Sequence, residues 1–245
     1  MPGLERIIES EGLMSPQVIA RLGGLLYLYI IVAGLFVEVF VRSKLIVSGD
    51  AVATARNILS NESLWRSSFA AEMFMMVFAV VLTLILYILL RPVNAELALL
   101  SVLFNLVSLT IESMSALANF ATLPLLHAHL PNVSALFSLD LYQYGFGASL
   151  IFFGFVLLID GFLVYNSGYF PKFLGVLLPI GGVCYLVNSF ALFLSPPLSD
   201  AIFPLILLPA FVAELSFCLW LLVMGVNMDK WGTRRTNAGT HALFP

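Results

Sequence analysis

Six long apolar stretches constrain the fold of this chain more than any other feature of its sequence. Each has about the 20 predominantly apolar residues that an α-helix needs to cross the hydrocarbon core of a bilayer. The stretches are residues 22–41, 69–90, 97–123, 141–164, 173–194 and 202–226. Because a helix satisfies its own backbone hydrogen bonds in hydrocarbon, the sequence predicts an all-α integral membrane protein, a six-helix transmembrane bundle.

The composition agrees with this class. Hydrophobic residues make up 61% of the 245 residues and charged residues only 10%, whereas a soluble domain carries about 25% charged residues. The formal net charge is −3, and the basic residues lie between the apolar stretches, so they form no patch large enough for nucleic acid. The predicted partner is therefore the lipid bilayer, with no nucleic acid. Cys184 and Cys218 lie inside apolar stretches and are interpreted as small buried hydrophobic residues.

Loop charges predict the orientation and the organisation of the chain. With six spans, both termini lie on one side, together with seven of the 11 basic residues, and the other four lie in the loop 42–66. The positive-inside rule therefore predicts cytoplasmic termini in the cell (inner) membrane.

We expect a cytoplasmic N-terminal segment at 1–19, the six-span domain at 20–227 and a polar C-terminal tail at 228–245. In the outer loop 42–66, Asp50 precedes an alanine-rich segment, which predicts an N-capped short amphipathic helix lying on the membrane.

A stripe of polar residues runs along one face of the third apolar stretch. Its members follow one another at alternating steps of four and three, the spacing that aligns side chains on one helical face. They are Ser101, Asn105, Ser108, Glu112, Ser115, Asn119 and Thr122. Because such a stripe is costly in lipid, we expect it to face the interior of the bundle. In the fourth stretch, Gly147, Gly154 and Gly161 recur every seven residues, which predicts close contact with a neighbouring helix.

Acids and amides of several spans fall at one depth, mostly in the outer half of the membrane. An ionisable group there costs about 2.5–3.5 kcal/mol on insertion scales, so each is a functional candidate. The predicted ligand-binding residues are Glu38, Glu72, Asn105, Glu112, Asn119, Asp140, Asn188 and Glu214. We expect them to line an acidic, amide-rich cavity that opens toward the non-cytoplasmic side.

Structural explanations exist for several of these residues. Glu38 is four residues before Arg42 and could pair with it, and Glu72 is close enough to the membrane interface to be solvated. The Asn and Ser side chains of the third span could serve as interhelical hydrogen bonds. Asp160 and Glu96 lie near the inner helix ends, where water would solvate them, and receive no role.

His127 and His129 are the candidates for metal ligands, because His together with Glu and Asp can hold zinc or iron. They are two residues apart in a proline-bounded loop and fit no metal-binding motif. The sequence therefore predicts neither a metal nor a cofactor.

Several short phrases of the sequence are distinctive. They are LIVSGDA and RNIL in the first outer loop, LLRPV after the second span, YGF, FFG, YNSGYFPK and LGVLL in the centre, and ELSF and WLL in the last span. These phrases resemble a bacterial multi-pass family catalogued as domain of unknown function 4386. The resemblance covers roughly residues 16 to 227, and it implies a six-helix bacterial membrane protein but no activity. In place of the His expected near the start of the fourth span, this chain has Tyr142, which weakens any histidine-based mechanism.

Three classes of function remain open from the sequence. The first is a protein that binds or translocates a cationic or amphipathic small molecule in the acidic cavity. The second is an accessory subunit of a larger membrane complex, or a homo-oligomer, in which the polar groups serve assembly. The third is a membrane enzyme acting on a lipid-like substrate. No nucleophile–base pair, phosphate loop or cofactor motif supports the third, so the sequence favours the first and argues against an enzyme.

Overall fold

The computed structural model describes residues 15–128 and 132–241. It is 89% helical and contains no strand in these residues. Six of the described helices are long and apolar enough to cross a membrane, which confirms the predicted all-α six-helix bundle. The first to sixth spans are Pro16–Leu45, Glu62–Leu90, Ala95–His127, Leu136–Ser167, Lys172–Leu194 and Leu205–Val223.

The first, fourth and sixth spans have internal detail that matters for the site. The first begins as an α-helix at Pro16–Leu35, continues as a π-helix at Phe36–Arg42 and ends with the turn Ser43–Leu45. The fourth is the larger part of the helix Asn132–Ser167. The sixth opens with a 3₁₀ turn at Leu205–Leu207, before the α-helix Leu208–Val223. Three shorter helices lie at Ala51–Ser60, Pro196–Ile202 and Met228–His241.

Capping residues explain where several helices begin. The Ser15 side chain accepts a hydrogen bond from the Val18 N–H, with Pro16 at the first helical position. The Asn94 side chain accepts a hydrogen bond from the Leu97 N–H at 2.8 Å, which caps the third span. Each of these bonds satisfies a backbone donor that the helix itself cannot pair.

The six spans form a ring in chain order. Each span packs against its neighbours in the chain, and the sixth closes the ring by packing against both the fifth and the first. We call the end of the bundle where the described residues begin and finish the terminus end, and the opposite end the loop end. The ring leaves a central space that is bounded by all six spans.

A hydrophobic core closes the terminus end of this space. It includes Leu89, Leu163, Phe217 and Trp231, all buried. The Leu89 carbonyl accepts hydrogen bonds from the Tyr169 hydroxyl at 2.6 Å and from Trp231 Nε1 at 3.4 Å. The helix Met228–His241 is thereby tied to the bundle through Trp231.

The loop end has a smaller core, to which the helix Ala51–Ser60 contributes. The sequence predicts this helix, and Asp50 caps it by accepting a hydrogen bond from the Ala53 N–H at 2.8 Å. Its buried residues, Ala55 and Ile58 among them, pack against residues of the spans such as Trp65 and Leu123. The apolar face of the helix thus covers the end of the bundle, and its position on the membrane stays a prediction.

The fourth and fifth spans are in close contact along their glycines. A Cβ atom added at Gly154 would lie 3.0 Å from the Gly182 carbonyl oxygen, and one added at Gly161 would lie 2.3 Å from Pro179 Cδ. A Cβ atom at Gly147 would lie 2.5 Å from Leu192 Cδ2. The predicted glycine contact is thus confirmed, and its partner is the fifth span.

The orientation in the membrane remains a prediction. With cytoplasmic termini, a membrane-impermeant maleimide added to intact cells should label a Cys at Ser48, at the loop end, and not one at Lys172, at the terminus end. Both positions are exposed, and the native Cys184 and Cys218 would first be replaced by Ala. The reverse labelling pattern would show that the loop end faces the cytoplasm.

Candidate functional site

The central space of the ring is a cavity of about 340 Å³ to which all six spans contribute side chains. Most of its lining is aliphatic or aromatic, for example Ile31, Met76 and Phe153. Five carboxyl groups also line it, and no Lys, Arg or His is among the described lining residues. The five are Glu38, Glu72, Glu112, Asp160 and Glu214.

Most of the residues predicted from the sequence lie at this cavity, and three do not. Glu38, Glu72, Asn105, Glu112 and Glu214 line it. Away from it, Asn119 is buried and bonded to Arg42, and Asn188 is buried with an unpartnered Oδ1. The third, Asp140, is exposed near the loop end of the fourth span.

Glu112 lies in the middle of the polar stripe and makes no hydrogen bond or ion pair with any described residue. Its neighbours on the stripe are used structurally. Ser108 Oγ donates to the Ser149 carbonyl at 2.9 Å, across to the fourth span, and Ser115 Oγ donates to the Ile111 carbonyl at 2.7 Å. The stripe therefore combines hydrogen bonds within and between helices with one carboxyl group that has none among the described residues.

Glu214 differs, because tyrosines from two other spans hold it. Tyr27 Oη donates to Glu214 Oε2 at 2.9 Å, and Tyr185 Oη donates to Glu214 Oε1 at 2.5 Å. The tyrosines belong to the first and fifth spans, the two neighbours of the sixth in the ring. Two hydroxyl donors to one carboxyl group fix its position at the cavity wall.

At the loop end, Arg42 and Tyr142 surround Glu38. Arg42 Nε lies 3.3 Å from Glu38 Oε2, and Arg42 Nη1 donates to Asn119 Oδ1 at 2.7 Å. Tyr142 Oη donates to Glu38 Oε1 at 2.8 Å, and the Arg42 guanidinium lies 3.9 Å from the centre of the Tyr142 ring. The alternative that Glu38 pairs with Arg42 is thus confirmed, so Glu38 already has a cationic partner. Glu38 and Arg42 lie in the π-helical segment of the first span, and such segments often mark functional sites.

Glu72 lies on the second span and is 2% exposed. Its Oε2 atom is buried without a hydrogen-bond partner. The alternative that Glu72 is solvated at the membrane interface is therefore wrong, because the ring encloses this side chain.

Asp160 is the cavity residue that the sequence reasoning missed. It was expected to be solvated near a helix end, but it is buried, at 5% exposure, and its Oδ1 accepts a hydrogen bond from Ser101 Oγ at 2.6 Å. The spacing of residues in the fourth span would have indicated that Asp160 faces the cavity. Six of the seven cavity-lining residues of the fourth span recur at steps of three and four, and this periodicity places Asp160 on the same face as Tyr142. The six are Tyr142, Phe146, Leu150, Phe153, Leu157 and Asp160, and the seventh is Val156.

The histidine candidates do not form a metal centre in the described part of the chain. His127 Nε2 lies 3.1 Å from Glu62 Oε2, and both side chains are substantially exposed. No group of three or more His, Cys, Asp or Glu side chains that could hold a metal occurs among the described residues. His129 lies outside the described residues.

Three residues that line the cavity are exposed. The Glu38 side chain, at the loop end, is 48% exposed, and Leu35 and Phe211 are exposed at 41% and 37%. Leu35 and Phe211 belong to the first and sixth spans, which are neighbours in the ring, so the cavity approaches the lateral surface of the bundle between these two spans. The lateral surface of a span bundle faces lipid, so this side of the cavity lies next to the hydrocarbon region.

The fold and the composition define a multi-pass membrane protein with six transmembrane helices. The chain belongs to the family described as Domain of unknown function (DUF4386), whose profile matches residues 22–225. It is also similar to a protein of Archaeoglobus fulgidus described as an uncharacterized protein. The two are 32% identical over 146 residues, which cover 59% of this chain and 75% of that protein. No solved structure matches the chain.

Proposed function

We propose that this protein binds a small cationic amphipathic molecule in its central cavity and translocates it in the cell membrane. The observation that carries the proposal is Glu112, a carboxyl group in a largely apolar cavity that no described residue pairs with or hydrogen-bonds. An ionised carboxylate in a low-dielectric site costs several kcal/mol unless an opposite charge compensates it. The cationic group of a ligand would supply that charge.

The rest of the lining supports the same chemistry. Five carboxyl groups and no basic side chain among the described lining residues favour a cation over an anion. The apolar walls suit the hydrophobic part of an amphipathic molecule. The volume, about 340 Å³, falls in the range of about 300–1,000 Å³ that is usual for small-molecule sites. The position of Leu35 and Phe211 would let such a molecule arrive from the lipid phase.

A pair of ions of the same shape and opposite charge tests this proposal. Tetraphenylphosphonium should bind the purified full chain in a non-ionic detergent with saturation at one site, as measured by isothermal titration calorimetry. Tetraphenylborate, which has the same four phenyl groups and a negative charge, should not bind, because the charged side chains among the described lining residues are all acidic. Detergent without protein serves as the blank. Equal binding of both ions, or binding of neither, would contradict the proposal.

A further inference from the structure

A second, much smaller space lies between the second, third and fourth spans. It measures about 10 Å³, close to the least volume that holds one water-sized particle, about 10–15 Å³. Its polar lining comprises Thr83, Ser101, Asn105 and Asp160, and Tyr87 also lines it. Thr83, Ser101 and Asp160 are each more than nine-tenths buried. Besides Tyr87, four oxygen-bearing side chains from three spans therefore surround a space for one small particle.

The hydrogen bonds at this space leave acceptor atoms free and use the hydroxyl hydrogens. Ser101 Oγ donates to Asp160 Oδ1 at 2.6 Å, and Thr83 Oγ1 donates to the Ala79 carbonyl at 2.7 Å. Asn105 Nδ2 donates to Thr83 Oγ1 at 2.6 Å. Because Thr83 Oγ1 already donates its hydrogen to the Ala79 carbonyl, it can only accept in its bond with Asn105. The donor from Asn105 must therefore be the amide nitrogen, which fixes the orientation of this amide.

Two oxygens at this space have no donor. Asn105 Oδ1 is buried without a hydrogen-bond partner. Asp160 Oδ2 makes no hydrogen bond with any described residue, although its side chain is buried. Ser101 Oγ also keeps lone pairs after donating its hydrogen. The space is thus rich in acceptors, which is the environment of a cation.

No cationic side chain in the described part of the chain forms an ion pair with Asp160. Arg91, near the terminus end of the same region, instead lies over the ring of Tyr87, at 5.8 Å from the ring centre. A buried carboxylate without a compensating charge is strongly unfavourable.

From this geometry we propose that Asp160, Ser101 and Asn105 bind a Na⁺ ion. One carboxylate balances one monovalent charge, whereas a divalent ion would keep an uncompensated positive charge in a low-dielectric site. Carboxylate, hydroxyl and amide oxygens are the ligands that hard cations prefer. The small space favours Na⁺ over the larger K⁺. Asp160 and Asn105 also line the central cavity, so the two sites adjoin, and the ion is tested with no organic cation present.

Thermal unfolding of the purified full chain tests the ion. The unfolding midpoint, followed by tryptophan fluorescence in detergent, should be higher in NaCl than in KCl of equal concentration. It should rise further with Na⁺ concentration, because an ion that binds only the folded state stabilises it by mass action. An equal midpoint in both salts would overturn the proposal, and so would a higher midpoint in KCl.

Two variants assign the effect to the site. Asp160→Asn keeps the shape of the side chain and removes its charge, so the difference between NaCl and KCl should disappear. The control Asp140→Asn, the same change at an exposed position of the same helix, should keep the difference. A difference that persists in Asp160→Asn would overturn the assignment. If Asp160→Asn does not fold, Ser101→Ala removes one ligand and should raise the Na⁺ concentration needed for half of the shift, and an unchanged concentration would contradict the site.

Discussion

Replacing Glu112 by Gln should weaken the binding of tetraphenylphosphonium by at least about tenfold, which corresponds to about 1.4 kcal/mol. Gln has the size and the hydrogen-bonding capacity of the carboxyl group but not its charge. Glu112 has no hydrogen-bond partner among the described residues, so the change leaves no polar group stranded. We therefore expect an unfolding midpoint equal to that of the wild type or higher. Titration calorimetry and tryptophan fluorescence measure the two quantities.

The matched control for this change is Glu96→Gln on the same helix. Glu96 is exposed near the start of the third span and does not line the cavity. The Glu96→Gln variant should bind tetraphenylphosphonium with the affinity of the wild type. If Glu112→Gln keeps full affinity and unfolds at a lower temperature, Glu112 serves stability and the proposed ligand site is wrong.

The part of the fold that follows from local pattern could be predicted from the sequence. Six spans, the Asp50-capped helix and the glycine contact of the fourth span depend on apolar length, capping chemistry and residue spacing. The polar stripe of the third span was predictable for the same reason. Its period places Asn105, Ser108 and Glu112 on one face, and all three line the cavity.

What depends on how the spans pack could not be predicted. Asn188 lies at a depth similar to that of the other candidates, but the fifth span presents Leu178 and Tyr185 to the cavity instead. Depth can be counted along a helix, whereas the rotation of a helix about its axis is set by its neighbours. The two tyrosines of Glu214 come from the first and fifth spans, and only the closed ring makes these spans its neighbours.

The burial of Asp160 also depends on how the spans pack and could not be predicted from the sequence. Its distance from the end of the fourth span predicted a solvated acid, because the sequence does not show what covers that end. The core at the terminus end, with Tyr169 and Trp231 bonded to the Leu89 carbonyl, closes the bundle there. Burial of Asp160 is therefore a tertiary effect, although its helical face was available from the spacing.

Replacing Gly182 by Ala should destabilise the bundle by about 1–3 kcal/mol, the usual cost of an extra methyl group in a packed core. The new Cβ atom would lie 2.6 Å from the Gly154 carbonyl oxygen and 3.2 Å from Leu157 Cβ. Because the first of these atoms is backbone, it cannot give way by a change of rotamer, and the fourth and fifth spans must move apart. The unfolding midpoint should fall by about 2–4 °C for each kcal/mol.

The identical change at Gly34 is the control for the unfolding midpoint of Gly182→Ala, and not for binding, because Gly34 lines the cavity. A Cβ atom there would meet only Met75 Sδ, at 3.8 Å, an ordinary van der Waals distance, so Gly34→Ala should unfold near the wild-type temperature. Separation of the fourth and fifth spans would also displace Tyr185 from Glu214, so Gly182→Ala should bind tetraphenylphosphonium more weakly although Gly182 does not line the cavity. Equal midpoints for the two variants would show that the glycine contact does not hold these spans together. A lower midpoint with unchanged binding would show instead that the contact supports the bundle without positioning the site.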